Sequence, residues 1–259
     1  MKKPTKQVQL QQTSDYMKSV AKTASFSGLF LSLIGTFFIW AGVNAFNSQE
    51  IIWKTSIAIN LTSFIFTWIV YFIFRNTEQL VAKGLMDFLM LFNLFWLFGF
   101  SMFYFYFIFA PIKPWVRATA LTSFTAALIL QGCFALDDIK KAFRDREDLF
   151  DKIYCLTEGS IIFNKKAVNV LQESCRDRNP FKSVFLYSAI FAMPLTLILN
   201  RILSPAVGDG HGVFTVTAFL SLPILQWGMK IFAQTMAIMI YFPIKLKKKM
   251  GTPVLLKDW

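Results

Sequence analysis

Six apolar runs, each long enough to cross a bilayer, constrain this chain more than any other feature of its sequence. They lie at 24–46, 55–74, 86–110, 116–136, 183–203 and roughly 214–243. A helix needs about 20 apolar residues to cross about 30 Å of hydrocarbon. The composition agrees, because 55% of the 259 residues are hydrophobic and 30 are Phe. The sequence therefore predicts an all-α integral membrane protein with six transmembrane helices and a small, mostly helical cytoplasmic insert between helices four and five.

The distribution of Lys and Arg predicts the orientation of these helices. Of the 27 basic residues, 22 fall in the N-terminal segment, the second connector, the insert and the C-terminal tail, and only four fall in the opposite connectors. Cytoplasmic loops collect Lys and Arg. We therefore expect both termini and the insert in the cytoplasm, with a bacterial inner membrane as the setting. The predicted segments are a basic N-terminal segment (1–23), a four-helix membrane region (24–136), the insert (137–182), a two-helix membrane region (183–243) and a basic tail (244–259).

The last apolar run contains a polar stripe. It consists of Gln226, Lys230, Gln234, Ala237 and Tyr241, which follow one another at helical spacing. Such a face is costly against lipid and should turn toward the interior of the bundle, where Asn60 and Asn93 are the polar residues expected at a similar depth. Two interpretations remain open. Either the stripe lines a hydrated cavity for an anionic or polar solute, or Lys230 reaches the outer membrane interface on its flexible stem.

Charged and catalytic groups are scarce near this stripe. Asp87 is expected close to the membrane boundary, and Asp137 and Asp138 are expected to mark the end of helix four, so no carboxylate should pair with Lys230. Cation-coupled carriers place a carboxylate within the bilayer, so that class is disfavoured. The sequence contains neither a nucleotide-binding nor a hydrolase motif, and its single histidine, His211, is expected in a solvated loop. We therefore expect a protein that is not an enzyme and uses neither a metal nor a cofactor.

Small residues and prolines suggest how the helices pack. A helix-packing stripe in the first run consists of Gly28, Ser32, Gly35 and Gly42. A second small-residue face in the fourth run consists of Thr119, Thr122, Ser123, Ala126 and Cys133. Small side chains let helices approach closely in lipid, so we expect helices one and four to pack together, although the first stripe also fits a homo-oligomer. Pro194 and Pro223 predict that helices five and six are kinked or interrupted, an arrangement that can mark a transport site.

The insert carries an apolar face that we expect to bind a partner or the ends of the bundle. The face consists of Ile139, Phe143, Phe150 and Ile153, on a helix that continues helix four. A turn at 158–159, a strand at 160–163 and a helix from Asn164 are expected to follow. Ten basic and nine acidic residues balance over 137–182, so the insert itself does not indicate a nucleic-acid or phospholipid patch.

These features favour a non-enzymatic inner-membrane protein that works through assembly. Its expected partners are membrane lipid and either another protein or a second copy, and nucleic acid is not among them. The protein would then be a subunit of a membrane complex of secretion, transfer or signalling type. The alternative is a small channel or carrier for an anionic or polar solute that uses Gln226, Lys230 and Gln234.

Overall fold

The computed structural model describes residues 6–157, 160–175, 198, 201–202 and 211–256. Five helices within these residues are long and apolar enough to cross a membrane, which fits an integral membrane protein. The predicted fifth helix at 183–203, with Pro194, lies outside the described residues except at positions 198, 201 and 202, which are helical.

The chain is mainly helical and carries one small sheet. In chain order the elements are α1 (Lys6–Ala45), α2 (Ile51–Phe74), α3 (Leu80–Phe109), α4 (Pro114–Asp145), α5 (Glu147–Ile153), β1 (Tyr154–Thr157), β2 (Ser160–Phe163), α6 (Lys165–Ser174), α7 (His211–Met250) and β3 (Val254–Leu256). The strand predicted at 160–163 and the helix predicted after Asn164 are both present. Asn164 caps α6, since its side chain accepts hydrogen bonds from the backbone N–H groups of Lys166 and Ala167.

Two of the long helices contain π-helical segments. These are Phe95–Tyr104 in α3 and Met236–Tyr241 in α7. In the first segment the Ser101 hydroxyl donates to the carbonyl of Trp96, five residues earlier, at 3.0 Å. A π-helix has more residues per turn than an α-helix, so side chains beyond such a segment are rotated relative to those before it.

Helix α7 is continuous through Pro223, which lies inside the α-helical stretch His211–Thr235. The predicted interruption at this proline is therefore wrong. Proline removes the one backbone N–H that would reach the carbonyl of Phe219, at a cost of about 3 kcal/mol. The surrounding turns are held by packing, because Ser221 and Leu225 are almost completely buried.

Close approaches at glycine define the packing of α3, α4 and α7. A Cβ on Gly84 would lie 2.9 Å from Ile240 Cγ1, and one on Gly228 would lie 3.1 Å from Leu94 Cδ2. Helices α3 and α7 are therefore antiparallel neighbours. Helix α4 also packs on α7, since a Cβ on Gly132 would lie 3.5 Å from Met229 Sδ.

The predicted packing of the two small-residue faces against each other is wrong. Helix α1 packs on α2 and α3 instead. The small-residue face of α4 is exposed along its whole length. The sequence pattern correctly indicates a face suited to helix packing, but it does not say which helix lies opposite.

The end of the bundle where α4 ends and α7 ends, here called the insert end, carries a compact cap. The cap consists of α5, β1, β2, α6 and β3. Strand β2 pairs with β1 in antiparallel orientation and with β3 in parallel orientation. The backbone N–H of Leu256 also donates to the carbonyl of Glu78, at 2.8 Å. The C-terminal segment, predicted as a basic cytoplasmic tail, thus adds a strand to the insert, so the fold is not purely α.

The apolar face that was predicted to bind a partner or the ends of the bundle is buried against the bundle and the tail. Ile139 and Ile153 are almost completely buried, in one core with residues of α3, α7 and β3. Phe143 and Phe150 pack edge-on against each other and against Phe242 of α7. The insert is too small to form a core alone, and the bundle and the tail supply the missing cover. This face is therefore occupied by intramolecular contacts and is not open to a partner.

Candidate functional site at the insert end

The polar stripe of α7 faces inward over most of its length. Gln226 and Gln234 are 8% and 7% exposed, and Ala237 is also buried. Lys230 is half-buried. Tyr241, by contrast, is 58% exposed, because the π-helical segment that begins after Thr235 rotates it off the stripe.

Lys230 belongs to a buried cluster with Asp138, Cys175 and Gln234. Asp138 on α4 and Lys230 both act electrostatically on the thiol of Cys175, and the Gln234 side chain hydrogen-bonds that thiol. Asp138 and Cys175 are both buried. An acidic residue, Asp138, thus acts on the same thiol as Lys230, which the sequence did not predict. Of the two open interpretations of Lys230, its action on Cys175 of the cap favours a position toward the insert end over the opposite interface. The parallel packing of α4 on α7, in which Gly132 faces Met229 and Phe143 faces Phe242, brings Asp138 to this level.

Burial raises the pKa of the Cys175 thiol, and the nearby Asp138 carboxylate raises it further. The Lys230 ammonium and the hydrogen bond from Gln234 act in the opposite direction, but their effect is smaller. The thiol is therefore protonated at neutral pH, and a protonated thiol is a poor nucleophile and a poor metal ligand. In the part of the chain that the structure describes, no three His, Cys, Asp or Glu side chains are placed to hold a metal.

A cavity of about 390 Å³, here called the insert-end cavity, lies beside the cluster. The bundle lines it with Tyr16 of α1, with Lys83 in the first turn of α3 and with residues 231–239 of α7, and the cap lines the other side with β2, α6 and β3. Its described lining combines the cationic side chains of Lys83 and Lys165 with polar and apolar groups. The polar residues are Tyr16, Asn169, Gln172, Gln234 and Thr235, and the apolar residues are Phe163, Val168, Ile231, Ile238, Met239 and Leu256.

Lys83 is held in place at the edge of this cavity. Its Nζ lies 2.5 Å from Asp87 Oδ2, and both side chains are largely shielded from solvent. Lys165, the first residue of α6, is exposed on the opposite wall. The cavity therefore has one cation held by an ion pair, Lys83, and one exposed cation, Lys165.

Asn60 and Asn93 belong to a different part of the bundle. The Asn60 side-chain amide donates to Thr36 Oγ1 at 3.0 Å, and Asn93 Oδ1 accepts from the Ser63 hydroxyl at 3.2 Å. These bonds join α1 to α2 and α2 to α3. The cavity that both asparagines line measures only about 10 Å³. They therefore stabilise helix packing, and the space beside them is too small for a solute.

The small-residue stripe of α1 lies against α3. A Cβ on Gly28 would lie 2.7 Å from Asn93 Nδ2, and one on Gly35 would lie 2.8 Å from Ser101 Oγ. A Cβ on Gly42 would collide with the ring of Phe105. Ser32 is buried on the same side, and its carbonyl accepts a hydrogen bond from the Asn60 amide at 3.4 Å. These contacts give the stripe an intramolecular neighbour.

His211 is buried at the opposite end of the bundle, where the sequence predicted a solvated loop residue. It begins α7 and is only 2% exposed. Its Nδ1 lies 3.3 Å from the Tyr106 hydroxyl, and its ring packs against Phe46. The histidine thus fixes the start of α7 against α3, and it lies far along the helix from the Lys230 cluster.

Among the described residues, the insert-end cavity and the adjacent cluster form a candidate binding site, because polar and charged side chains converge there on a partly enclosed space. No protein-family model, curated protein or solved structure matches this chain.

Sequence analysis identified the α7 residues of this site but not its two cavity lysines. The spacing of Gln226, Lys230 and Gln234 indicated an inward polar face. Lys83 and Lys165, which come from separate segments, were counted only as topology signals. Lys83 and Lys165 line the same cavity only because the cap packs on α3 and α7. The sequence pattern of a single segment cannot predict such a contact between two segments.

Proposed function

We propose that the chain is a non-enzymatic membrane protein that works through assembly, as a subunit of a membrane complex of secretion, transfer or signalling type. In this proposal the membrane is a bacterial inner membrane, and the termini and the cap lie in the cytoplasm. The observation that supports assembly is the exposed small-residue face of α4.

This face is suited to contact another helix within lipid. Its exposed members are Thr119, Thr122, Ser123, Ala126 and Cys133. The hydroxyl of Thr122 donates to the carbonyl of Ala118 at 2.7 Å, and that of Ser123 donates to the carbonyl of Thr119 at 2.6 Å. Because the hydroxyls are satisfied within α4 itself, the face tolerates lipid, while its small side chains let a second backbone approach closely.

The cap is a poor place to test this proposal by deletion. Removal of 137–182 would also remove Ile139 and Ile153 from the core that they share with α7 and β3. Loss of a partner after such a deletion would not distinguish a lost contact from a lost fold. Single substitutions on the exposed face of α4 avoid this ambiguity.

Photo-crosslinking in native membranes tests the assembly proposal. A photoreactive residue replaces Ser123 on α4 or, as a matched control, Leu61, which is 52% exposed on α2. We expect a discrete protein adduct from position 123, to a second copy or to another membrane protein, and only lipid adducts from position 61. Lipid adducts from both positions, or a link within the chain to 183–203, would contradict the proposal.

A size change on the same face provides the second arm of the test. Ala126→Leu fills the space that a neighbouring helix would occupy, so the yield of the adduct from position 123 should fall several-fold. Ile65→Leu, at an exposed position of α2, keeps the side-chain volume and should leave the yield unchanged. If Ala126→Leu leaves the yield of the position-123 adduct unchanged, α4 is not the contact surface.

A second candidate function, a channel or carrier for an anionic or polar solute, draws support from Gln226. Its Oε1 is buried and has no hydrogen-bond partner among the described residues. An unpaired buried acceptor on the same face as Lys230 suits a polar solute. Solute uptake into reconstituted vesicles, compared between the wild type and Lys230→Met, tests this function. No uptake above protein-free vesicles would exclude it for the solutes used.

A further inference from the structure

We propose that the insert-end cavity binds the phosphate head group of an anionic phospholipid and the first part of its acyl chain. This inference goes beyond assembly, since it concerns a separate surface and a lipid ligand. It rests on the charge of the cavity, on its division into polar and apolar walls, and on its position at the ends of the membrane-spanning helices.

The charge of the cavity matches a single anion. Lys83 and Lys165 are its cationic lining residues, and its described lining contains no acidic side chain. Asp87, which pairs with Lys83, offsets one of the two positive charges from behind. One net positive charge remains, which suits a phosphodiester. Gln172 and Asn169 on α6 add neutral hydrogen-bond donors beside Lys165.

The apolar wall suits an acyl chain. Ile231, Ile238 and Met239 of α7 face the cavity from within the last membrane-spanning helix. Phe163 and Leu256 of the cap close the other side. A lipid placed with its phosphate between the two lysines would therefore run its chain along α7, into the hydrocarbon region. A free inorganic phosphate would use the lysines but leave this wall without a partner.

The size and position of the cavity agree with a partly enclosed lipid. A volume of about 390 Å³ lies near the lower end of the roughly 300–1,000 Å³ range for small-molecule sites. It accommodates a head group and a few methylene groups, while the rest of the chain lies in the bilayer. Tyr16 and Lys83 line the cavity and precede the apolar runs at 24–46 and 86–110, so its polar side lies outside the ends of these runs, where we place the head group.

Adjacent lysines of α6 provide a matched pair of test variants. Lys165 lines the cavity, whereas Lys166 lies outside its described lining, and both are exposed. Lys165→Gln and Lys166→Gln therefore make the same charge change one residue apart. Val168→Trp fills the cavity without changing its charge. The full-length protein is reconstituted in bilayers of equal phosphatidylglycerol and phosphatidylcholine, extracted in mild detergent and examined by native mass spectrometry.

We expect the wild type to retain one phosphatidylglycerol in preference to phosphatidylcholine. Lys165→Gln should lower that retention about tenfold, as expected for the loss of one charge-assisted hydrogen bond, and Val168→Trp should abolish it. Lys166→Gln should retain the lipid as the wild type does. Equal retention by the two glutamine variants, or retention unaffected by Val168→Trp, would overturn the proposal.

Inorganic phosphate distinguishes the two sources of the anion. If millimolar phosphate displaces phosphatidylglycerol from the wild type and is itself retained, the cavity recognises the phosphate alone and the lipid assignment is wrong. If phosphate does not compete, the acyl chain contributes to binding as proposed. Neither result depends on the α4 crosslink, so failure of the lipid site and failure of the assembly proposal are separate outcomes.

Discussion

Gln234 hydrogen-bonds the thiol of Cys175 and also lines the insert-end cavity, so one side chain connects the cap, the last membrane-spanning helix and the cavity. Cys175 immediately follows α6, which forms one wall of that cavity. A change in the cluster of Asp138, Cys175 and Lys230 should therefore alter how firmly α6 is held against α7. The first two predictions test this connection.

Cys175 should make the protein less stable at alkaline pH. Its pKa is raised by folding, so its contribution to stability is fully present below the ordinary thiol value of about 8.5 and is lost as the pH rises through the higher folded value. Thermal unfolding between about pH 8 and 10 should show a falling Tm. Cys175→Ala should reduce that slope, whereas Cys133→Ala, at an exposed site, should leave it unchanged. If Tm falls equally steeply with pH in all three proteins, Cys175 is not the group whose titration lowers the stability.

Lys230 and Asp138 should be energetically coupled. Lys230→Met removes a cation from beside a buried carboxylate and should destabilise the protein by about 1–3 kcal/mol. Asp138→Asn in the same chain removes the charge left behind and should restore part of that loss. The measurement is a double-mutant cycle on Tm in detergent. Strictly additive effects would show that the two groups do not interact.

Sequence analysis identified the elements that depend on one segment at a time. Five of the six long apolar runs, the strand at 160–163 and the inward face of Gln226 and Gln234 follow from local sequence patterns, and the described residues contain all of these. The errors concern contacts between distant segments. Asp138 was expected at the end of a helix, but the parallel neighbour that carries Lys230 was not foreseen. The pairing of the tail with β2 was not foreseen either.

The direction in which some helix side chains point could not be predicted from sequence periodicity either. A fixed angle of 100° per residue placed Tyr241 on the polar stripe, but the π-helical segment Met236–Tyr241 changes that angle and exposes the side chain. The same limit applies to the small-residue faces. Gly42 and Ala126 occupy similar patterns, yet one faces Phe105 and the other is exposed.

Gly42 should not tolerate a methyl group. The Cβ of Gly42→Ala would overlap the Phe105 ring, which is fully buried and cannot move without disturbing Ile39 and Val43. We expect a loss of about 1–3 kcal/mol. Gly132→Ala is the control, because its Cβ would make an ordinary contact of 3.5 Å with Met229 and gain helix propensity. A Tm for Gly42→Ala equal to that of the wild type would contradict the close packing of α1 on α3.

The tail strand should be essential for the stability of the cap. Val254 is 2% exposed and lies in the core with Ile161 and Ile153. Val254→Asp would bury a carboxylate there and should detach β3 from β2. Leu156→Asp places the same group on β1, where the side chain is 62% exposed, and should have little effect. Limited proteolysis should cleave the cap of Val254→Asp several times faster than that of Leu156→Asp. Similar rates would mean that β3 does not hold the cap.

The proposed cytoplasmic orientation of the cap predicts which cysteines an impermeant thiol reagent can reach. Ser48→Cys, in the connector after α1, should react in intact cells, because it lies at the end of the bundle opposite the cap. Asp209→Cys, outside the described residues, was expected from the sequence to react in the same way. Cys155 in β1 should react only after the membrane is permeabilised, whereas Cys175 is too deeply buried to report on either side. Reaction of Cys155 in intact cells, with Ser48→Cys protected, would reverse the orientation and place the two lysines of the cavity on the outer surface.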